Sequence, residues 1–183
     1  TSSGGNLSRM TGGRCYITAS GRSLRELTKD DIIEVDPQGN VIGDSKGLRP
    51  SKEVFLHLAV YRARPEVNSI IHVHPVYAVA YSAIREGFPM ITAAAELKIK
   101  KISYAHYYKP GSKELMQEIE KVVMNSEDFV RVVLMERHGI IVYGTDLGNC
   151  FDTAELVEET ARVNYLVDTL KVAESEAGKK MRV

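Results

Sequence analysis

The segment Asn68-Ser69-Ile70-Ile71-His72-Val73-His74-Pro75 constrains this chain more than any other. A short apolar run stopped by proline reads as a buried strand, because proline has no N–H with which to continue a hydrogen-bonded ladder. Side chains alternate along a strand, so His72 and His74 face the same way, roughly 7 Å apart. Two imidazoles on one face can converge on a single ion, and a divalent metal site is the reading that follows.

A site of this kind needs a body to hold it. The 183 residues suffice for one well-buried domain, and no linker-like stretch divides them, so a single domain over 1–183 is expected. With 24 basic and 24 acidic side chains the formal charge is zero. That gives no net pull toward nucleic acid or an anionic membrane, and a small-molecule partner is expected instead. No apolar stretch is long enough to cross a bilayer and no signal-peptide pattern is present, which favours a cytoplasmic location. Cys15 and Cys150 stand far apart and read as buried free thiols without a chemical role. The chain opens at Thr1, without methionine, on a glycine-rich loop, and a missing N-terminal segment is expected ahead of it.

Residues 14–19 and 31–36 read as strands, and 37–40 as a turn returning through 41–42, so a β-meander opens the fold. Ser51 is placed to cap a helix that runs through Tyr61 and ends near Pro65. Helical patterns recur at 76–85, 112–123 and 148–170, with short strands at 90–92 and 101–105. Residues 129–135 and 140–143 are strands that can form a hairpin around His138-Gly139. Glu158 and Glu159 stand at helical spacing from Arg162 and read as a solvated, ion-paired face. Short turns leave little room for parallel crossovers. The expected fold is therefore a three-layer α/β/α sandwich around a largely antiparallel central sheet, with the active site at strand ends and loops.

A metal catalyst needs about three protein ligands and an open position. His138 is the third candidate: it follows a β-run and precedes Gly139, whose missing side chain would let the backbone turn tightly beside an ion. His57, mid-helix among apolar neighbours, and His106, in a tyrosine-rich segment, read as structural and stay outside the ligand set. Glu53 lies in the first turn of the helix before the histidine strand, where the helix dipole favours an ionised carboxylate. Beside a metal it can be a ligand, a proton shuttle or both in turn, and spacing does not choose.

Five ordered motifs carry a family resemblance: Gly4-Gly5-Asn6-Leu7-Ser8, Ile17-Thr18-Ala19-Ser20-Gly21, Arg49-Pro50-Ser51-Lys52-Glu53, His72-Val73-His74-Pro75 and Arg137-His138-Gly139. The chain resembles the class II sugar-phosphate aldolase and adducin-head superfamily from its first residues to about Leu170. The resemblance implies that His72, His74 and His138 hold zinc or another divalent cation such as manganese or cobalt. It implies Glu53 as the fourth, displaceable ligand and the acid/base. Asn6, Ser20, Gly21 and Ser51 fall where the family binds substrate phosphate, and Lys52, standing where the fuculose-phosphate aldolase pattern has a second serine, can add a contact. It further implies a missing N-terminal helix and a four-fold symmetric homotetramer with active sites at subunit boundaries.

The implied activity is metal-dependent cleavage of a carbon–carbon bond in a phosphorylated sugar through an enediolate. An aldolase of the fuculose-1-phosphate type releases dihydroxyacetone phosphate and an aldehyde. Ser51-Lys52-Glu53 with Tyr107-Tyr108-Lys109-Pro110-Gly111 is also similar to the branch that decarboxylates 3-oxo-tetronate 4-phosphates. Pentulose-phosphate epimerases of the superfamily usually carry aspartate in place of the glutamate, and adducin-like heads keep the architecture as non-catalytic interaction domains without metal. Family aldolases take a proton-donating tyrosine from a neighbouring subunit, whereas residues 89–95 of this chain contain none, leaving Glu96, Lys98 and Tyr104 as substitutes.

Overall fold

A computed structural model describes residues 4–180, so the expectation about what precedes Thr1 lies outside the described residues. Among these residues seven strands form one sheet: β1 Asn6–Thr11, β2 Arg14–Thr18, β3 Ile32–Val35, β4 Ser69–Val73, β5 Ser103–Ala105, β6 Val132–Met135 and β7 Gly139–Gly144. Their spatial order is β3-β2-β1-β4-β7-β6-β5, and every neighbouring pair is antiparallel except β5 with β6. Among the described residues five α-helices cover the sheet: α1 Val54–Ala63, α2 Val76–Ser82, α3 Ala93–Lys98, α4 Lys113–Asn125 and α5 Leu147–Lys180.

Strand periodicity divides the core in two. Ile70, Val133, Met135, Ile141 and Tyr143 pack toward α1 and α4, while Ile71, Val132, Leu134, Ile140 and Val142 pack toward α2 and α5. β6, the middle of β7 and the Ile70-Ile71 pair of β4 are thus apolar on successive residues because both faces are covered. Each fully buried Val, Ile or Leu contributes about 1.5–3 kcal/mol over its exposed state. The three-layer α/β/α sandwich and its largely antiparallel sheet are as expected.

Several local expectations are corrected. The N-terminal segment expected as a loop contains β1, which lies near the middle of the sheet between β2 and β4. Residues 90–92 form no strand: the Thr92 hydroxyl accepts from the Ala95 N–H at 3.2 Å and caps α3, whose alanines favour a helix. The long helix extends past Leu170 to Lys180. Glu158 is not committed to Arg162. Its carboxylate accepts from the N–H groups of Tyr77 and Ala78, each at 3.0 Å, and so caps the otherwise uncapped start of α2. Cys15 and Cys150 are buried free thiols, as expected. Among the described residues no helix is long and apolar enough to cross a membrane.

Candidate metal centre and active site

The site forms where β4 ends, β1 begins and the β6–β7 hairpin turns. Asn6 is the cross-strand partner of His72, and His72 is in turn opposite Ile141. His74 lies just past the end of β4, before Pro75. His138 sits in the hairpin turn between Met135 and Gly139, where its N–H donates to the Met135 carbonyl at 3.2 Å. That turn needs a left-handed residue, and Arg137 supplies it with φ 51°; its N–H is held by the buried Ser82 hydroxyl at 2.9 Å.

Gly139 matters for space and not, as the sequence suggested, for turning. A Cβ at this position would meet the Val73 carbonyl, lie 2.7 Å from His74 Cδ2 and 3.2 Å from His72 Cε1. Gly4 is constrained likewise, since a Cβ there would lie 2.6 Å from His74 Nδ1. Two bare backbone positions therefore make room for the histidine rings.

His72, His74 and His138 are brought together, each with a ligating ring nitrogen within 4.8 Å of the others. Their ring centroids are 4.7, 4.9 and 5.3 Å apart. His72 is fully buried, and its Nδ1–H donates to the Ile140 carbonyl at 2.9 Å, which leaves the Nε2 lone pair aimed at the cluster. His74 Nε2 lies 2.9 Å from that nitrogen. Glu53 closes the group, with Oε2 3.1 Å from His72 Nε2 and Oε1 3.2 Å from His138 Nε2.

These residues fit a divalent cation. Lone pairs of two imidazoles and a carboxylate face one another at hydrogen-bonding distance, an arrangement that positive charge between them stabilises. Buried Glu53 Oε1 and His138 Nδ1 have no hydrogen-bond partner. Burial opposes ionisation of Glu53, but the adjoining His138 and His72 rings and the Asn6 amide outweigh it and hold the carboxyl well below the usual carboxylate range. Burial lowers His74 to about 4, with the charges of His72 and His138 adding to the effect, so its ring is neutral and able to ligate near neutral pH. Glu53 is the N-cap residue of α1, one position before the first turn expected for it, and its side chain makes no cap bond. It is free to face the histidines.

Of the expected anion-binding residues, Ser20, Gly21, Ser51 and Lys52 come from two neighbouring loops and Asn6 from the start of β1. Ala19 bridges to Pro50, the Ser20 N–H donates to the Arg49 carbonyl at 2.9 Å, and the Ser51 N–H donates to the Thr18 carbonyl at 3.0 Å. Ser20, Gly21 and Lys52 are exposed there, beside the start of α1. Ser51 is buried and its hydroxyl oxygen accepts from the Glu53 N–H at 3.3 Å, leaving its own O–H to donate. Asn6 is buried, and one of its two amide hydrogens is directed to Glu53 Oε2 at 2.9 Å.

Two residues excluded from the ligand set behave differently. His106 is exposed, outside the cluster. His57 is fully buried one helical turn beyond Glu53 and joins a polar seam that sequence reading missed. Its Nε2 is 2.5 Å from Asn6 Oδ1, its Nδ1 is 2.7 Å from Ser8 Oγ, and Ser8 Oγ is 2.8 Å from the Tyr61 hydroxyl. Glu53, His57 and Tyr61 at i, i+4, i+8 on α1 thus interdigitate with Asn6 and Ser8 at i, i+2 on β1. Those two spacings are the signal that was available in the sequence. Of the substitute proton donors, Glu96 and Lys98 are exposed on α3, while the Tyr104 hydroxyl donates to the Ser82 carbonyl at 3.1 Å.

The profile of the class II aldolase and adducin N-terminal domain matches residues 1–165. The chain belongs to this family. It is 36% identical over 169 residues to an L-fuculose phosphate aldolase of Methanococcus maripaludis, covering 92% of this chain and 88% of the relative. It is 32% identical to a 3-oxo-tetronate 4-phosphate decarboxylase of Haemophilus influenzae, covering 92% and 80% of the two chains. A solved L-fuculose 1-phosphate aldolase superposes with a TM-score of 0.82 at 32% identity, covering 92% of this chain and 78% of that one. As a class II aldolase-family protein, the chain carries two of its three clustered histidines, His72 and His74, at the end of β4.

Proposed function

We propose that this protein is a divalent-metal-dependent lyase that cleaves a carbon–carbon bond of a phosphorylated sugar through an enediolate. The observation that carries the reading is the convergence of His72, His74, His138 and Glu53, with lone pairs turned inward and buried polar atoms left without partners. The three histidines would hold zinc, manganese or cobalt, with Glu53 as a displaceable fourth ligand. A cation bound there supplies positive charge that stabilises the negative charge developing on oxygen as the bond breaks.

The chain's own groups do the rest. Ser51 O–H, the exposed Ser20-Gly21 loop, Lys52 and the second Asn6 amide hydrogen orient the substrate phosphate beside the α1 N-terminus. Glu53, displaced toward the substrate, moves a proton at the enediolate carbon. The favoured substrate is a ketose 1-phosphate of the fuculose type, giving dihydroxyacetone phosphate and an aldehyde, which the 36% identity to the Methanococcus aldolase supports. Decarboxylation of a 3-oxo-tetronate 4-phosphate is the second reading, supported by the 32% identity to the Haemophilus decarboxylase and by Lys52 between Ser51 and Glu53. Presence of the whole ligand set argues against a non-catalytic adducin-like domain. We further propose a homotetramer, for which exposed Phe151, Tyr165, Leu166 and Leu170 along α5 offer apolar surface.

The test incubates metal-loaded protein with a panel of ketose 1-phosphates and 3-oxo-acid phosphates, following dihydroxyacetone phosphate and carbon dioxide separately. Dihydroxyacetone phosphate release that disappears in His74→Ala is the expected result. Release of carbon dioxide alone selects the second reading. Protein purified without chelators that contains no stoichiometric divalent ion and turns over neither class overturns the lyase reading.

A further inference from the structure

The polar seam between β1 and α1 lies in an otherwise apolar helix–sheet interface, with Val54, Leu58 and Ile17 in the same cluster. Its members are buried: Asn6 is 4% exposed, Ser8 and His57 are 0%, and Tyr61 is 7%. Groups so enclosed must satisfy one another, since a buried polar group left unpaired loses its hydration with nothing in return. The seam ends on the Glu53 carboxylate, which only accepts, through Asn6 Nδ2 at 2.9 Å.

That terminus sets the direction of every bond behind it. Asn6 must present its NH2 to Glu53, so its oxygen faces His57 Nε2 at 2.5 Å. The ring must then carry its proton on Nε2, which makes Nδ1 an acceptor for the Ser8 hydroxyl at 2.7 Å. Ser8, having donated, accepts from the Tyr61 hydroxyl at 2.8 Å. Four donors point the same way, from Tyr61 through Ser8, His57 and Asn6 to Glu53. The opposite ring tautomer would let Asn6 rotate and set its oxygen against the carboxylate, acceptor to acceptor.

We infer that His57 is a positioning residue for the reaction proposed above: held as its Nε2–H tautomer by Ser8 and Tyr61, it locks the Asn6 amide so that a donor always faces Glu53 Oε2. Glu53 is thereby fixed in one orientation when substrate displaces it, ready to act at the reacting carbon. His57 touches neither the substrate position nor the histidine cluster and acts only through Asn6. The inference rests on the lyase reading for its kinetic consequence but not for its structural one.

The structural arm uses 15N-labelled protein without added metal. Two-bond proton–nitrogen correlation of the His57 ring at neutral pH is expected to show a protonated Nε2 and a bare Nδ1; the Nδ1–H tautomer or a cationic ring overturns the inference. The kinetic arm compares three substitutions. His57→Gln places an amide N–H near the Nε2 position and should stay within about 3-fold of wild-type kcat. His57→Asn reaches Ser8 but not Asn6, and with His57→Phe should lose about 10- to 100-fold in kcat, with a smaller rise in KM because the freed Asn6 amide also faces the phosphate. In an Asn6→Ala background the same substitutions should cost no more than about 2-fold further. Losses that multiply across the two sites, or a Gln variant as impaired as Asn, overturn the role. Should Phe fail to fold, the Gln–Asn contrast decides. Failure of wild type on every substrate would overturn the lyase reading, while the ring tautomer would still decide the placement of His57.

Discussion

Gly139 lies against His74 so closely that a Cβ on Gly139 would stand 2.7 Å from the His74 ring. Gly139→Ala must therefore push the ring, or the Val73 carbonyl beside it, out of place. The expected outcome is a loss of divalent-ion affinity of at least about tenfold, with about 1–3 kcal/mol lower stability. Chelator competition and urea unfolding read the two separately. Unchanged affinity would show that His74 is not held where the metal needs it.

Glu158 caps α2 from the neighbouring helix α5, and α2 begins directly after His74-Pro75. Glu158→Ala should lower stability by about 1 kcal/mol, a fall in Tm of about 2–4 °C for a chain of this size. Glu158→Gln, which keeps an acceptor but loses the charge, should fall between. Calorimetry checks the order of the three proteins.

Acid should destabilise the protein when it is free of metal. Burial drives His57 from 6.5 to about 3, and His74 is lowered to about 4. Below pH 6.5 the unfolded chain binds protons on both rings that the folded chain refuses, so stability falls as pH falls. Glu53, also lowered, adds to the loss below about pH 4.5. For fully buried His57 alone the full effect is on the order of 4 kcal/mol by pH 3. Urea midpoints between pH 7 and pH 4 test this, and a flat profile refutes it.

The two thiols should be inert in the native state. Burial pushes both Cys15 and Cys150 up to about 11, which leaves about a hundredth of the usual thiolate near neutral pH before access is considered. Thiol labelling should proceed only as fast as the protein unfolds. Rapid native labelling of either would refute their burial.

Legibility varied with the range of the interactions. The strand at 69–73, the β6–β7 hairpin and the helix at 112–123 were readable because period-2 alternation, proline stops and helical periodicity are local. Thr92 was misread because a three-residue apolar run cannot be told from the approach to a helix until its cap bond is seen. Glu158 has the spacing of a solvated ion pair, and only the packing of α5 against α2 redirects it to Tyr77 and Ala78. The clustered histidines were visible through motif, whereas His57 was hidden because an apolar helix stripe masks a lone polar residue.

The residue order alone determined the candidate groups: two imidazoles fixed on one side of a strand by the pleat, a third before a glycine, and an acid at a helix start. Tertiary structure decided what those groups face. It set Asn6 opposite His72, turned Glu53 onto the ring nitrogens and connected Glu53 to Tyr61 through the interior. Strand register and helix packing join residues some fifty positions apart, and no local periodicity records which polar group will meet which across such a gap.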